Sequence, residues 1–457
     1  MLNNLFQRAI GSQSPRGVEQ AETTRLLTSI SAAPDKFEGG EKKSLLQPSN
    51  DPPNEEGSLT GRPVLAHKGG VNCLSIERFE GRYLISGGSD SSLALWDLEA
   101  RQDDTLRPIS RLDRGSSSHQ YGITHLSFYP FDSQAFLSSS YDHTVKLYST
   151  ETLATSTTFN LDSVVYNHAL STIASHLLVA CATQHPAIRL VDLRSGANTQ
   201  GLGGHHGAVL SVAWSPKDEF LLASGGADGT ARLWDIRRSA SSLGVLAFDD
   251  PVGVLGEDGY GARARSRHQG KAHMGACNGV VWKDDGNTLV TAGHDDRVRV
   301  WDISAGADML SHFGPTLKNT RHSSLLPVLV PDSILPTLQN VMLYPNEKEI
   351  LIFDLFQGNL LSRLRFAYGS TQLLNQRNIN SRASALAWRH GAIEFYSAHL
   401  DGSLRAWKPN SLMEQQLDYS EGEESGTDAA ESSDRKRKRE ELNEMFRDLT
   451  RQKITFT

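Results

Sequence analysis

"LLASGGADGTARLWD", residues 221–235, is the stretch that decides the fold. Both of its ends alternate side chains with the period of a strand, and Gly225-Gly226-Ala227-Asp228-Gly229 between them has the composition of a tight turn. Ser224, Asp228 and Trp234 lie on a fixed ruler: a hydroxyl, an acid four residues on, an aromatic six further. The ruler recurs as Ser86, Asp90 and Trp96, as Ser138, Asp142 and Tyr148, as Thr291, Asp295 and Trp301, and as Ser397, Asp401 and Trp407. Five copies of one spacing mark an internal repeat.

An alternating strand precedes each copy: "VNCLSI", "ITHLSF", "VLSVAW", "CNGVVW" and "ASALAW". His67, His119, His205 and His273 stand four residues ahead of the first four of these strands. Two degenerate units fill the gaps, with Cys181, His185 and Val191 on the ruler in about 160–195, and Leu343, Glu347 and Phe353 in about 322–358. The units resemble WD40 repeats, which run roughly 40–45 residues each. That resemblance implies an all-β protein, a seven-bladed propeller of four-stranded sheets whose ring leaves only short, protected edges. The expected organisation is an N-terminal helix-loop-helix segment over 1–30, a linker over 31–56, the propeller over 57–410 with a long inter-blade loop at 239–270, and a tail over 411–457 that is acidic, then basic, and disordered.

The 457-residue chain is 38% hydrophobic and 22% charged, as in a water-soluble globular protein with polar tails. A formal net charge of −7 argues against direct nucleic-acid binding by the molecule as a whole. Cys73, Cys181 and Cys277 are too scattered for a zinc ribbon or a disulfide framework, which fits a reducing compartment. No signal peptide is evident in residues 1–30, and no window approaches a membrane span. No cofactor is expected: there is no phosphate-binding glycine loop, and the histidines lack metal-ligand spacing.

His205, Ser224 and Asp228 invite a catalytic-triad reading. The same set repeats as His67, Ser86 and Asp90 and in two further units, whereas a catalyst needs one such site. The WD40 resemblance implies a buried hydrogen-bonded tetrad of His, Ser or Thr, Asp and Trp in each blade, and a protein that is not an enzyme.

Two neighbouring units leave the ruler in the same way. Asp235-Ile236-Arg237 follows Trp234, and Asp192-Leu193-Arg194 follows Val191. Equivalent exits of adjacent blades share one rim, so the two arginines should form one patch, with each Asp positioning its Arg. "WDIR" at 234–237 and "VDLR" at 191–194 resemble the box with which WD40 substrate receptors of cullin-4 ubiquitin ligases dock on their triple-propeller adaptor, the large subunit of the damaged-DNA-binding protein. In "MLNNLFQRAIG", Leu2, Leu5, Phe6 and Ile10 fall at helical spacing with Gly11 as a C-terminal cap, and a second short helix fits 21–30. An apolar helix this short needs a groove to bury its stripe, on a partner or on its own propeller. Members of the resembled family insert such a helix-loop-helix into the adaptor.

Longer stretches narrow the resemblance. "MLNNLFQRAIG", "FEGRYLISGGSD" at 79–90, "YPFDSQAFLSSSYDHTVKLY" at 129–148, "LLVACATQHPAIRLVDLRSG" at 177–196 and "AWSPKDEFLLASGGADGTARLWDIRRS" at 213–239 are similar to the Cockayne syndrome group A family of cullin-4 RING receptors. The likeness covers roughly two thirds of the chain, is weak from about 310 to 380 and is absent in the tail. It implies a nuclear protein of transcription-coupled nucleotide excision repair. Its implied partners are the adaptor, the cullin-4 RING ligase, lesion-stalled RNA polymerase II and a Cockayne syndrome group B-like translocase. Independently, Arg435, Lys436, Arg437, Lys438 and Arg439 read as a nuclear localisation signal, or as a nucleic-acid patch. A non-ligase WD40 scaffold in chromatin or RNA processing is the competing expectation.

Overall fold

The structure is a computed structural model that describes residues 23–39, 65–100, 104–115, 118–238, 242–248, 270–320, 324–334, 340–365 and 382–409. Seven four-stranded sheets hold all but two of the strands among them. Blade four shows the plan: Val209–Trp214, Leu221–Gly226, Ala231–Asp235 and Gly244–Leu246 pair antiparallel in chain order. Blades one, two, three and five repeat it from inner strands Val71–Ile76, Ile123–Phe128, Val165–Leu170 and Cys277–Trp282. Blade six starts from Val328–Leu329 and blade seven from Ala383–Trp388. The fold is the expected seven-bladed β-propeller, including the two degenerate units.

Both faces of these strands are covered, so the buried side chains form seven apolar clusters, each spanning two neighbouring blades. Trp214 and Trp234 of blade four pack on Ala180, Ile188 and Leu190 of blade three. Leu289 and Trp301 of blade five pack on Ala223 and Leu246 of blade four. Each blade therefore depends on both neighbours, and a ring needs its last blade fastened to its first.

That fastening comes from residues expected to be docking segment and linker. Ile30–Ala32 is the outer strand of blade seven, with Ile30 opposite Pro409 and Ala32 opposite Trp407. The Ala33 N–H donates to Ala406 O at 2.9 Å, and Lys408 Nζ pairs with Asp35 at 2.5 Å. Phe37 then sets its ring edge-on to Trp96 of blade one at 5.2 Å, and Lys36–Phe37 pairs in parallel with Thr105–Leu106. Residues 23–28 are helical, inside the second expected helix, but Leu27 is buried between blades six and seven on Val341 and Ile350. This differs from the expected boundaries: 23–30 belongs to the propeller, and 31–38 is a clasp. The reason is physical, since the open edge of Leu404–Pro409 offers backbone partners and an apolar seam that no other described segment fills.

Blade four extends further than expected too. Its outer strand Gly244–Leu246 lies inside the stretch read as loop, and the Phe248 N–H still donates to Lys271 O at 3.0 Å. Residues 249–269 of that loop lie outside the described residues, as do Leu2, Leu5, Phe6, Ile10 and the basic run 435–439.

Candidate functional site

The repeated polar residues meet inside the blades. In blade four the Trp234 indole N–H donates to Ser224 Oγ at 2.7 Å, and Ser224 Oγ lies 2.8 Å from His205 Nε2. His205 Nδ1 is 3.2 Å from Asp228, and Thr230 Oγ1 bridges the two at 3.0 and 2.8 Å. Blade five repeats the set through Trp301, Thr291, His273 and Asp295 at 2.9, 2.8 and 2.9 Å. In blade one, Trp96 and His67 meet Ser86 at 2.9 and 2.6 Å, while Ser92 stands between His67 and Asp90. In blade two, His119 joins Ser138 and Asp142 at 2.6 and 2.8 Å, but Tyr148 stacks on Phe136 at 5.2 Å and its hydroxyl forms no hydrogen bond of good geometry.

Burial opposes ionisation of Asp142, Asp228 and Asp295, yet hydrogen bonds led by those from His119, His205 and His273 hold all three carboxyls far below the usual range. Burial pushes His67 down to about 4. Ser86, Ser138, Ser224 and Thr291 are fully buried, so no substrate carbonyl reaches them without opening a blade. The arrangement neutralises donors and acceptors within a β-sheet core.

Blade seven completes the set by a route that the sequence reading did not find. His399 lies 2.8 Å from Ser397, which accepts the Trp407 N–H at 2.8 Å. In blades one, four and five the equivalent place is Gly88, Gly226 or Gly293, where a Cβ would strike the tetrad histidine. A histidine on the strand itself thus replaces one from the preceding loop.

The exposed chemistry lies where the third strands end. The acid of each Trp-Asp position turns the chain by accepting the N–H two residues on: Asp97 from Glu99, Asp192 from Arg194, Asp235 from Arg237, Asp302 from Ser304 and Asp354 from Phe356, at 2.9–3.1 Å. The acid is a turn device, and the residue two places on projects beside it. Blades three and four put arginine there.

Arg237 is fixed on two sides. Its Nε and Nη2 donate to the two oxygens of Asp235 at 3.0 and 2.9 Å, and its guanidinium lies 4.5 Å from the Phe220 ring centre. The Arg237 bond holds the Asp235 carboxyl below its usual range. The side chain remains 60% exposed, so the donors not used by Asp235 face solvent on a pre-positioned plane. Arg194 is held differently. Asp192 spends its oxygens on the Arg194 backbone N–H and the Ser195 hydroxyl, both at 3.0 Å, and the Arg194 side chain is exposed without a hydrogen bond or ion pair among the described residues. Both arginines leave the same face of adjacent blades, and the turns between first and second strands join there: Glu219 accepts the Ser175 N–H at 2.9 Å. The expected positioning of arginine by its acid is thus present in Asp235–Arg237 and absent from Asp192–Arg194. Among the described residues there is no cluster able to hold a metal ion and no helix long and apolar enough to cross a membrane.

The chain carries WD40 repeats: the model of the WD domain, G-beta repeat, matches residues 60–97, 111–149, 196–235 and 265–302. Among individual proteins it is similar to the WD repeat-containing protein ATCSA-1 of Arabidopsis thaliana, 29% identical over 417 residues that cover 78% of this chain and 88% of the plant protein. It is also similar to the ribosome biogenesis protein ytm1 of Aspergillus oryzae, 31% identical over 54% of this chain and 55% of that one. The radiation-sensitive protein 28 of Saccharomyces cerevisiae is 28% identical over 40% of this chain and 38% of its own length.

Proposed function

We propose that this protein is a substrate receptor of a cullin-4 RING ubiquitin ligase acting in transcription-coupled nucleotide excision repair. The observation that carries the reading is Arg237, clamped by Asp235 and Phe220 yet open to solvent, beside Arg194 on the next blade of the same face. A pre-positioned guanidinium pair suits bidentate capture of backbone carbonyls or carboxylates on a rigid partner, the triple-propeller adaptor. Leu2, Leu5, Phe6 and Ile10 supply a second, apolar anchor. The receptor does no chemistry itself: by holding its target near the ligase it raises the effective concentration for ubiquitin transfer. Lesion-stalled RNA polymerase II and a Cockayne syndrome group B-like translocase are the targets and partners in this reading, and residues 435–439 carry the protein to the nucleus. Extended similarity to ATCSA-1 and a shorter one to radiation-sensitive protein 28 support it.

A second reading, a non-ligase WD40 scaffold in RNA processing, draws on the similarity to ribosome biogenesis proteins across about half of this chain. The test is co-elution of the full chain with purified adaptor and cullin-4 RING ligase. One stoichiometric peak supports the receptor; separate elution of a folded chain gives the scaffold reading precedence.

A further inference from the structure

The repeat has one more regular position. Two residues before the ruler aromatic, blades two, three, four, five and seven carry a cation: Lys146, Arg189, Arg232, Arg299 and Arg405. In four of them the ruler acid precedes it by four residues, as Asp142, Asp228, Asp295 and Asp401. Arg299 Nη1 pairs with Asp295 at 3.0 Å, and Arg405 stands 3.8 Å from Asp401. Lys146 Nζ donates to Ser118 O at 2.9 Å, and Arg232 donates to the Thr230 and Ser242 hydroxyls at 3.3 Å, each within the field of its own aspartate.

Blade three breaks the rule. His185 takes the place of the acid, while Leu161, Cys181 and Val191 take the places of His, Ser and Trp and form an apolar cluster. Arg189 is left beside that cluster. Among the described residues its side chain has no hydrogen bond or ion pair, and its Nε is shut off from solvent without a partner. A half-buried guanidinium with an unpartnered donor costs free energy until an anion neutralises it.

A hollow between blades two and three opens over Arg189, lined also by His143, Asp162, Ser163, Gln184 and His185. His185 Nδ1 accepts the Ala187 N–H at 3.1 Å, so its neutral ring carries the proton on Nε2 and can donate. Asp162 is the lone carboxylate of the lining, and it accepts the Asn160 amide at 2.9 Å. We propose that this hollow receives a phosphate monoester carried on a side chain of a protein partner. The guanidinium fork takes two of its oxygens, and the histidines serve the third. A dianion outweighs the single charge of Asp162 better than a carboxylate does. Tyr141, two residues before His143 and 39% exposed, offers a ring against which the chain bearing the phosphate can lie; free phosphate would make no use of it. The hollow opens at the turns before the third strands, the opposite end of the blades from Arg194 and Arg237, and the proposal does not depend on the adaptor.

The probes are inorganic phosphate and a phosphoserine peptide, titrated into the full chain and followed by phosphorus NMR line broadening. Wild type is expected to broaden both, and the peptide at lower concentration. Arg189→Gln should weaken the peptide at least about tenfold, the scale of one lost charge-assisted contact. His185→Asp should do the same while keeping or raising the melting temperature, because it restores the acid that the four other cation-bearing blades have. Arg194→Ala should bind as wild type does. No broadening by wild type, or unchanged binding in both hollow variants, overturns the site. A peptide that binds no better than inorganic phosphate overturns its assignment to a protein partner.

Discussion

The guanidinium of Arg237 lies 4.5 Å from the centre of the Phe220 ring. Phe220 sits in the turn between the first and second strands of blade four, and Arg237 in the turn after the third. The contact ties two turns of one blade and fixes the plane that the arginine presents. Phe220→Ala should therefore leave the fold intact and weaken adaptor binding about threefold to tenfold through loss of the cation–π contact. Interferometry with immobilised adaptor measures this. Unchanged affinity would mean that the ring does not position the arginine.

The two acids of the boxes should differ. Asp235 serves both a backbone N–H and the Arg237 fork, whereas Asp192 serves a backbone N–H and a serine hydroxyl. Asparagine keeps an acceptor for the turn in each case. Asp235→Asn should slow association and weaken docking severalfold, and Asp192→Asn should do neither. Equal losses would show that turn geometry alone governs both sites.

Ser224→Ala tests the tetrad as architecture. It leaves the buried Trp234 N–H and His205 Nε2 without their shared partner. A loss of roughly 2–4 kcal/mol in denaturant unfolding is expected. A variant as stable as wild type would contradict the structural role.

The clasp makes truncation position-dependent. Deletion of residues 1–22 should leave the melting temperature unchanged and remove adaptor binding. Deletion of residues 1–34 also strips Leu27, Ile30 and the outer strand of blade seven. Burial of those two side chains alone contributes about 3–6 kcal/mol, so this variant should melt far lower. Equal melting temperatures would show the clasp to be dispensable.

Stability should fall as pH drops from about 6.5 to about 4. Burial pushes His67 and His125 down to about 4 in the folded chain. Between that value and 6.5 the unfolded chain binds protons that the folded chain refuses, so stability is full above the window and declines within it. Each histidine contributes a slope of about 1.4 kcal/mol per pH unit there. Chemical denaturation at pH 7, 6 and 5 measures it. A flat profile would mean that both rings charge in the native state.

Much of this was legible in the sequence because a repeat tests itself. The hydroxyl–acid–aromatic ruler located the second and third strands of five blades, and the alternation in 177–194 and 340–355 recovered two blades that lack the tetrad. What escaped were pairings made by distant segments. Nothing in "ISA" at 30–32 announces an outer strand, because its partner lies nearly the whole chain away at Leu404–Pro409. His399 escaped because His67, His119, His205 and His273 all stand ahead of the first strand of their blades. The signal was present, as a histidine two residues after the ruler serine where three sibling blades have glycine. Phe220 escaped because a turn phenylalanine has no periodicity to read, and its contact with Arg237 exists only once two turns meet.

The most direct measurement is the affinity of the full chain for the purified adaptor, compared with that of Arg194→Ala/Arg237→Ala. Circular dichroism and melting temperature should match between the two, since neither side chain is buried. Wild-type binding with at least a tenfold loss in the double variant is the predicted result, the scale expected for paired arginine anchors. Equal binding by both proteins, or none by a folded wild type, would contradict the receptor reading.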